Sequence, residues 1–487
     1  MDELQPTGTT ELRRAEEEVI AHSAAFKKQL GLLDLTLTQI LFIVGLGWVG
    51  AAGKLGPSHM VFWLLATALF YIPTAMVVIH LNKLMPLEGG LYQWARLGFN
   101  EFMGFMVGWN LWLYVILLTS EIGLLTAANL SYALGSKWMG DSKSFITVCS
   151  ILVTMILVGA TVLGLGIGKW IHNAGGLIMI VMFATLIALP VVSVARGEHV
   201  DYHPFPIAMP AVSLLSLNIL GKMGFGALGG FEYVAILAGE CRDPARTIGR
   251  SVIVSAPLIA LMFILGTSSV LAFLKPDDID LVAPIPQVLS LGFRPLGVAA
   301  RVLPVAILSL LGLRLAQASV NFTANSRLPM VAGWDRLLPQ WFTRLHPRYK
   351  TPVNSILFVG AMVLCFGLAG IAGVGRQEAY QMIQSASIIF YALSYLAMLL
   401  IPLVGLRGTG VRIGAGLKLA AVSGFMMTAL NVALSIFPIV EVKSRLQFAG
   451  KISGVIILAN IIGIAMFVVG GRGRGEQQAA ATAASAD

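Results

Sequence analysis

Apolar segments about as long as a bilayer is thick recur along almost the whole of this 487-residue chain, and they leave it few ways to fold. A helix needs about 20 predominantly apolar residues to cross the hydrocarbon core. On that scale twelve segments qualify, near 31–56, 58–82, 99–134, 145–166, 170–194, 210–240, 249–274, 298–325, 352–373, 377–405, 413–437 and 451–470. In lipid every backbone polar group must be satisfied internally, so such segments form helices packed into a bundle. Composition agrees: 57% of residues are hydrophobic and 12% are charged, against about 25% charged in a soluble domain. The expected fold is an all-α membrane protein with 12 transmembrane helices, and the lipid bilayer is its first partner.

The net charge of +9 does not point to nucleic acid, because the basic residues sit mostly in short loops between apolar segments. Their distribution instead orients the chain. The densest basic loop, 326–351, carries Arg327, Arg336, Arg344, Arg348 and Lys350, and the acidic loop at 275–280 carries Asp277, Asp278 and Asp280. This asymmetry places both termini in the cytoplasm, with Lys443, Arg445 and Lys451 running against it. The segment 1–30 reads as a polar cytoplasmic tail holding a charged, helix-compatible stretch, with no signal peptide. The segment 471–487 reads as a disordered cytoplasmic tail. Cys149, Cys241 and Cys365 have no metal or redox spacing. No hydrolase elbow, phosphate loop or metal motif is present, so neither an enzyme nor a cofactor is expected.

Two of the apolar segments are interrupted. Residues 224–232 read Gly-Phe-Gly-Ala-Leu-Gly-Gly-Phe-Glu, and the first segment contains Gly45, Gly47, Gly50 and Gly53. Each glycine costs a helix interior roughly 1 kcal/mol. The glycine spacing of the first segment matches a dinucleotide fingerprint, but that fingerprint requires a soluble strand–turn–helix. Small residues also serve close helix packing. Two breaks in corresponding places favour a different reading, the unwound segments that form a transporter's midplane site. The second half of a broken helix offers free N–H groups to an anion, and the first half offers free carbonyls to a cation. Two such breaks hold a zwitterion without many charged side chains, which makes the partner a small molecule resembling an amino acid.

Four ionisable residues fall deep within the segments: Glu121, Lys222, Glu232 and Arg314. Such residues are expensive in hydrocarbon and mark function unless they pair structurally. Glu232, directly after the second break, is the leading candidate for coupling or gating, with Glu121 and Lys222 beside it. Lys222 and Arg314 are expected to neutralise the two carboxylates. Asp243-Pro244 is expected to stop the sixth helix.

Three stretches resemble the amino acid–polyamine–organocation superfamily of transporters. The first is Pro86-Leu87-Glu88-Gly89-Gly90-Leu91-Tyr92-Gln93-Trp94 with Gly104-Phe105 and Gly108-Trp109. The second is Phe225 to Glu232 with Ala238-Gly239-Glu240 and Asp243-Pro244-Ala245-Arg246. The third is Ser326-Arg327-Leu328, Asp335 to Pro339 and Lys350 to Asn354. The resemblance covers about residues 31–470. It implies a leucine-transporter-type fold, a 5+5 inverted repeat with two added helices: 31–405 as the transport core and 406–470 as helices 11 and 12. It further implies substrate contacts at Gly47, Val49, Gly50, Ala51 and Ala52 on helix 1, and at Phe225, Gly226, Ala227 and Leu228 on helix 6.

The chain departs from the family pattern in three places. Gly50-Ala51-Ala52 lacks the hydroxyl of the common Gly-Ser-Gly. Gly226 stands where many members place an aromatic gate, so either Phe225 substitutes or the pocket is wider. Met179 stands where proton-coupled members carry a lysine, and Lys169 is the only lysine in that segment. The function expected is a permease moving amino acids by alternating access, as symporter or antiporter with protons as coupling ion, in a plasma membrane of the bacterial inner-membrane type. A carrier of polyamines or other organic amines is the alternative, and a non-transporting sensor is the third reading.

Overall fold

In the computed structural model the described residues are 30–85, 90–163, 169–236, 241, 243–297, 299–326, 340–349, 351–404 and 413–484. The charged N-terminal stretch, Pro86 to Gly89, Ala238-Gly239-Glu240, Arg327 to Pro339 and Lys350 lie outside them, as does the side chain of Lys169.

Among the described residues the structure is all-helical, and ten helices are long and apolar enough to cross a membrane. In chain order the first interrupted segment gives α1 (Leu32–Ile43) and α2 (Trp48–Gly53). Then follow α3 (Gly56–Leu84), α4 (Leu91–Gly98), α5 (Glu101–Leu134), α6 (Lys143–Val162) and α7 (Lys169–Ala195). The second interrupted segment gives α8 (Leu214–Ala227) and α9 (Tyr233–Ile236). The rest comprises α10 (Pro244–Phe273), α11 (Pro284–Phe293), α12 (Ala299–Asn325), α13 (Val353–Ile371), α14 (Arg376–Val404), α15 (Ala415–Ser435) and α16 (Arg445–Ala484).

Local chemistry sets these ends. The Asn100 side-chain oxygen Oδ1 accepts from Met103 N at 2.9 Å and starts α5, and Ser213 and Ser216 cap α8 reciprocally. Asp243-Pro244 does not stop a helix; it opens α10. Asp243 accepts from Arg246 N at 3.4 Å, and Pro244 sits in the first turn, where its missing N–H costs nothing. α16 continues as helix through Ala484, where a disordered tail was expected. A helix already nucleated in the membrane segment extends without a new nucleus, and Ala479–Ala481, Ala483 and Ala484 favour it.

α14 runs through the centre, packed along α5 and α15, while α1 packs on α7 and α10. Apolar side chains left exposed form lipid-facing stripes, as with Val148, Leu152, Met155 and Ile156 on α6 and Ile457, Leu458, Ile461 and Ile462 on α16. Near one end, Arg376 at the start of α14 bonds Asp280 (2.8 Å) and reaches Asp141 (3.6 Å), while Tyr132 at the end of α5 donates to the same Asp280 oxygen at 2.9 Å. This cluster ties α5, α14 and the segment before α11 together.

Asp278 and Arg344 are both exposed, and among the described residues the only long apolar helix between them is α12. In a Cys365→Ser background, Asp278→Cys and Arg344→Cys should therefore label from opposite sides of the membrane, Asp278 from outside. Labelling from one side would refute this topology.

Candidate functional site

Both interruptions open onto one cavity of about 110 Å³. At the first, Val44 turns extended (φ −74°, ψ 90°) and ends α1. The last-turn carbonyls then lack helical partners. That of Leu41 is met by Gln317 Nε2 of α12 at 3.0 Å, and Phe42 and Ile43, which follow, line the cavity. At the second, the chain leaves α8 through a π-helical turn, Lys222–Ala227, and passes Gly229 and Gly230. Gly230 has φ +128°, a conformation that requires glycine. Its N–H donates to the Tyr395 hydroxyl of α14 at 2.8 Å.

A third interruption was not anticipated. α5 is broken at Glu121, between Glu101–Ser120 and Ile122–Leu134. Thr119 and Ser120 donate their hydroxyls back to the carbonyls of Val115 and Leu117, both at 2.7 Å, a back-bonding that bends helices. The Thr-Ser pair before a buried carboxylate was the available signal. Thr119, Glu121, Ile122 and Leu125 all line the cavity.

The rest of the wall comes from α12 and α14. α12 supplies Arg314, Gln317, Ala318 and Asn321, and α14 supplies Tyr380, Gln384, Ser387, Ile388 and Tyr391. Arg314 donates to Gln317 Oε1 at 3.4 Å. Gln384 Nε2 donates to the Tyr380 hydroxyl at 2.6 Å, and that hydroxyl stands 2.6 Å from where a Cβ on Gly47 would be. Tyr114 of α5 stacks on Tyr391, with ring centroids 4.3 Å apart and planes 9° apart.

Of the residues expected to contact substrate, Gly47 and Gly226 line the cavity, and the others do not. Val49 is fully buried and faces Gly266 of α10. Gly50 is a packing glycine, since a Cβ there would stand 2.9 Å from Pro284 of α11. Ala51 and Ala52 are buried in the same turn, and Ala227 and Leu228 are fully buried. Phe225 does not take the place of a gate. It packs behind the cavity among Phe70, Tyr391 and Tyr395, at centroid distances of 5.7, 5.3 and 5.0 Å. Nor does the missing side chain at Gly226 leave free space. The Trp48 indole of α2 fills it, lying between the two breaks. A Cβ on Gly226 would stand 2.6 Å from Trp48 Cη2, and one on Gly45 would stand 2.5 Å from Trp48 Cδ1.

Among the described residues neither Lys222 nor Arg314 makes an ion-pair contact with Glu121 or Glu232, although Arg314 and Glu121 line the same cavity. Lys222 is fully buried outside the cavity wall and donates to Ser385 Oγ of α14 (3.1 Å) and Ser435 Oγ of α15 (3.3 Å). Glu232 is 2% exposed and accepts from the hydroxyls of Tyr391 and Tyr395, one at each carboxylate oxygen. Among the described residues no cation pairs with it. It lies behind Tyr391 rather than in the cavity wall. Sequence reasoning missed this aromatic wall of Trp48, Tyr114, Tyr233, Tyr380 and Tyr391. Their spacing on each helix looks like ordinary core, and only the fold brings them together.

Comparison with known proteins agrees with this architecture. Residues 30–470 match the family model described as amino acid permease. An uncharacterised transporter of Legionella pneumophila is 24% identical over 76% of this chain and 80% of its own. The branched-chain amino acid permease BcaP of Bacillus subtilis is 23% identical over 78% of this chain and 85% of its own. The methylthioribose transporter of the same organism is 22% identical over 72% and 77%. Among solved structures, MhsT in complex with L-phenylalanine superimposes with a TM-score of 0.55 at 13% identity, over 84% of this chain and 98% of that one.

Gly226→Ala tests the packing of Trp48. The added methyl must displace the indole, and overpacking of this kind costs about 1–3 kcal/mol. Ligand affinity should fall roughly 10- to 100-fold, with smaller loss on Gly50→Ala, whose clash lies outside the cavity. Isothermal titration of both variants with a ligand of the wild-type protein checks this, and equal losses would contradict it.

Proposed function

Because the chain belongs to the amino acid permease family, we propose that it carries amino acids across a membrane by alternating access around this cavity. It is a transporter with a leucine-transporter-like fold, not an enzyme. The observation that carries the reading is the convergence of both helix breaks on one cavity with α5, α12 and α14. On this reading the α-carboxylate meets the N–H groups that open α2, near Gly47, and the α-ammonium meets carbonyls that end α1 and α8. On the same reading the two interrupted segments cross the membrane beside the ten long helices, making twelve crossings in a 5+5 repeat with two further helices. Both termini then lie in the cytoplasm of a bacterial-type inner membrane.

Glu232 is the group we assign to proton coupling. Its carboxylate holds two phenols, of which Tyr391 also lines the cavity and Tyr395 also holds Gly230. Taking up a proton removes the charge that favours both donors. It thereby loosens α9 from α14 at the point where the cavity meets the inner half of the broken helix. Polyamine carriage is the weaker reading. Glu232 faces phenols rather than the cavity, and Glu121 shares the cavity wall with the guanidinium of Arg314.

Three measurements test this reading. Detergent-purified protein should gain thermal stability with at least one amino acid and none with spermidine, since about 2.7 kcal/mol is gained at 100 times Kd. In liposomes that amino acid should drive counterflow; binding without counterflow would indicate a sensor instead. Glu232→Gln should retain exchange of labelled for unlabelled substrate but lose accumulation driven by a pH gradient, by tenfold or more. Full gradient-driven uptake in that variant would remove Glu232 from coupling.

A further inference from the structure

A carboxyl group and a guanidinium line the same cavity wall with no hydrogen bond between them. Glu121 stands at the interruption of α5, is only 6% exposed, and its Oε2 has no hydrogen-bond partner. Arg314 of α12 lines the same cavity and makes one long hydrogen bond, 3.4 Å to Gln317, whose own amide nitrogen is committed to the Leu41 carbonyl. No ion pair joins Glu121 to Arg314, and among the described lining residues no other side chain is charged. A buried carboxylate oxygen left without a donor is a costly arrangement unless a ligand supplies one.

We propose that Glu121 and Arg314 select the substrate's side chain, and that they select a neutral, dipolar one of the carboxamide class, with glutamine and asparagine as representatives. The assignment rests on the amino acid reading above, in which the α-carboxylate and α-ammonium are held at the breaks and leave these two groups to the side chain. A side-chain amide offers N–H donors to Glu121 and a carbonyl oxygen to Arg314 in one neutral group. A lysine-like side chain satisfies Glu121 but brings a like charge toward Arg314. A glutamate-like side chain does the reverse. An apolar side chain of the same length strips water from both charges and replaces none of its hydrogen bonds. A site built to hydrogen-bond its ligand rejects such analogues far more strongly than an apolar pocket rejects a missing methylene.

The test is a competition series on the full-length protein in detergent and in liposomes, using glutamine, asparagine, methionine, leucine, lysine and glutamate. Glutamine or asparagine should bind about 10- to 100-fold tighter than methionine, the apolar analogue of similar length. Glu121→Gln leaves Arg314 alone in the wall and should move the preference toward glutamate. Arg314→Gln leaves Glu121 alone and should move it toward lysine. Wild-type protein that takes methionine or leucine as well as glutamine overturns the proposal while amino acid transport stands. So do single variants that fold and keep the wild-type ranking. If either variant fails to fold, the wild-type ranking of glutamine against methionine decides alone. Absence of binding by every amino acid in the series overturns the proposal together with the amino acid reading.

Discussion

A helix that stops in the middle of a bilayer leaves N–H and carbonyl groups where no water can reach them, and the site is organised by how those groups are met. Each unsatisfied group in hydrocarbon costs several kcal/mol, so a break survives only where neighbouring helices supply partners. At the first break Gln317 of α12 reaches back to Leu41 O. At the second, Tyr395 of α14 accepts the N–H of Gly230. At the third, α5 satisfies itself through Thr119 and Ser120. The helices that rescue the breaks are therefore the ones that wall the cavity. Binding surface and structural repair come from the same residues, Gln317 contributing to both outright.

The glycines of the breaks act chiefly by letting large groups come close. Gly45 and Gly226 admit the Trp48 indole between the two broken helices, and Gly47 admits the Tyr380 hydroxyl. Gly50 and Gly53 instead admit Pro284 and Ile279, which seat α2 against the segment leading into α11. Only Gly230 among these needs its unusual backbone angle. A wall built this way is aromatic although the break sequences are mostly glycine and alanine, because Trp48 folds in between the breaks and Tyr114, Tyr380 and Tyr391 reach in from α5 and α14.

This explains what the sequence could and could not disclose. The long helices were legible from apolar length, and the two breaks from glycines that no transmembrane helix needs in such number. Glu121 and Glu232 stood out because carboxylates are rare at that depth. Orientation around each break was not legible. A helix turns about 100° per residue, and the irregular residues 44–47 reset that phase, so Val49 to Ala52 point into packing while Trp48 faces the cavity. Nor could spacing reveal contacts such as Tyr391 with Glu232, which depend on α14 lying beside α9 across 159 residues of chain. The pairing of Lys222 with a carboxylate failed for the same reason. It lies one π-turn before the break, and that turn directs it toward Ser385 and Ser435.

α14 is the element on which the proposed transport cycle bears. Toward one end of the cavity it presents Tyr380 and Gln384, and toward the other Tyr391, with Tyr395 behind it on Glu232 and Gly230. Tyr380 and Tyr391 are eleven residues apart, about 16 Å along the helix. Ser385 on the same helix holds Lys222 and so fixes α8. Movement of α9 away from α14 must pull a carboxylate off both phenols, breaking bonds worth about 1.5–3 kcal/mol each when the acceptor is charged. A latch of about 3–6 kcal/mol holds one conformation against the other without freezing the equilibrium, since about 5.5 kcal/mol separates a 1:99 from a 99:1 population. In the proposed cycle, a ligand reaching Tyr391 from the cavity acts on one of these bonds, and a proton reaching Glu232 from behind acts on both. In that cycle the shared dependence would let substrate and proton each bias one motion without touching one another.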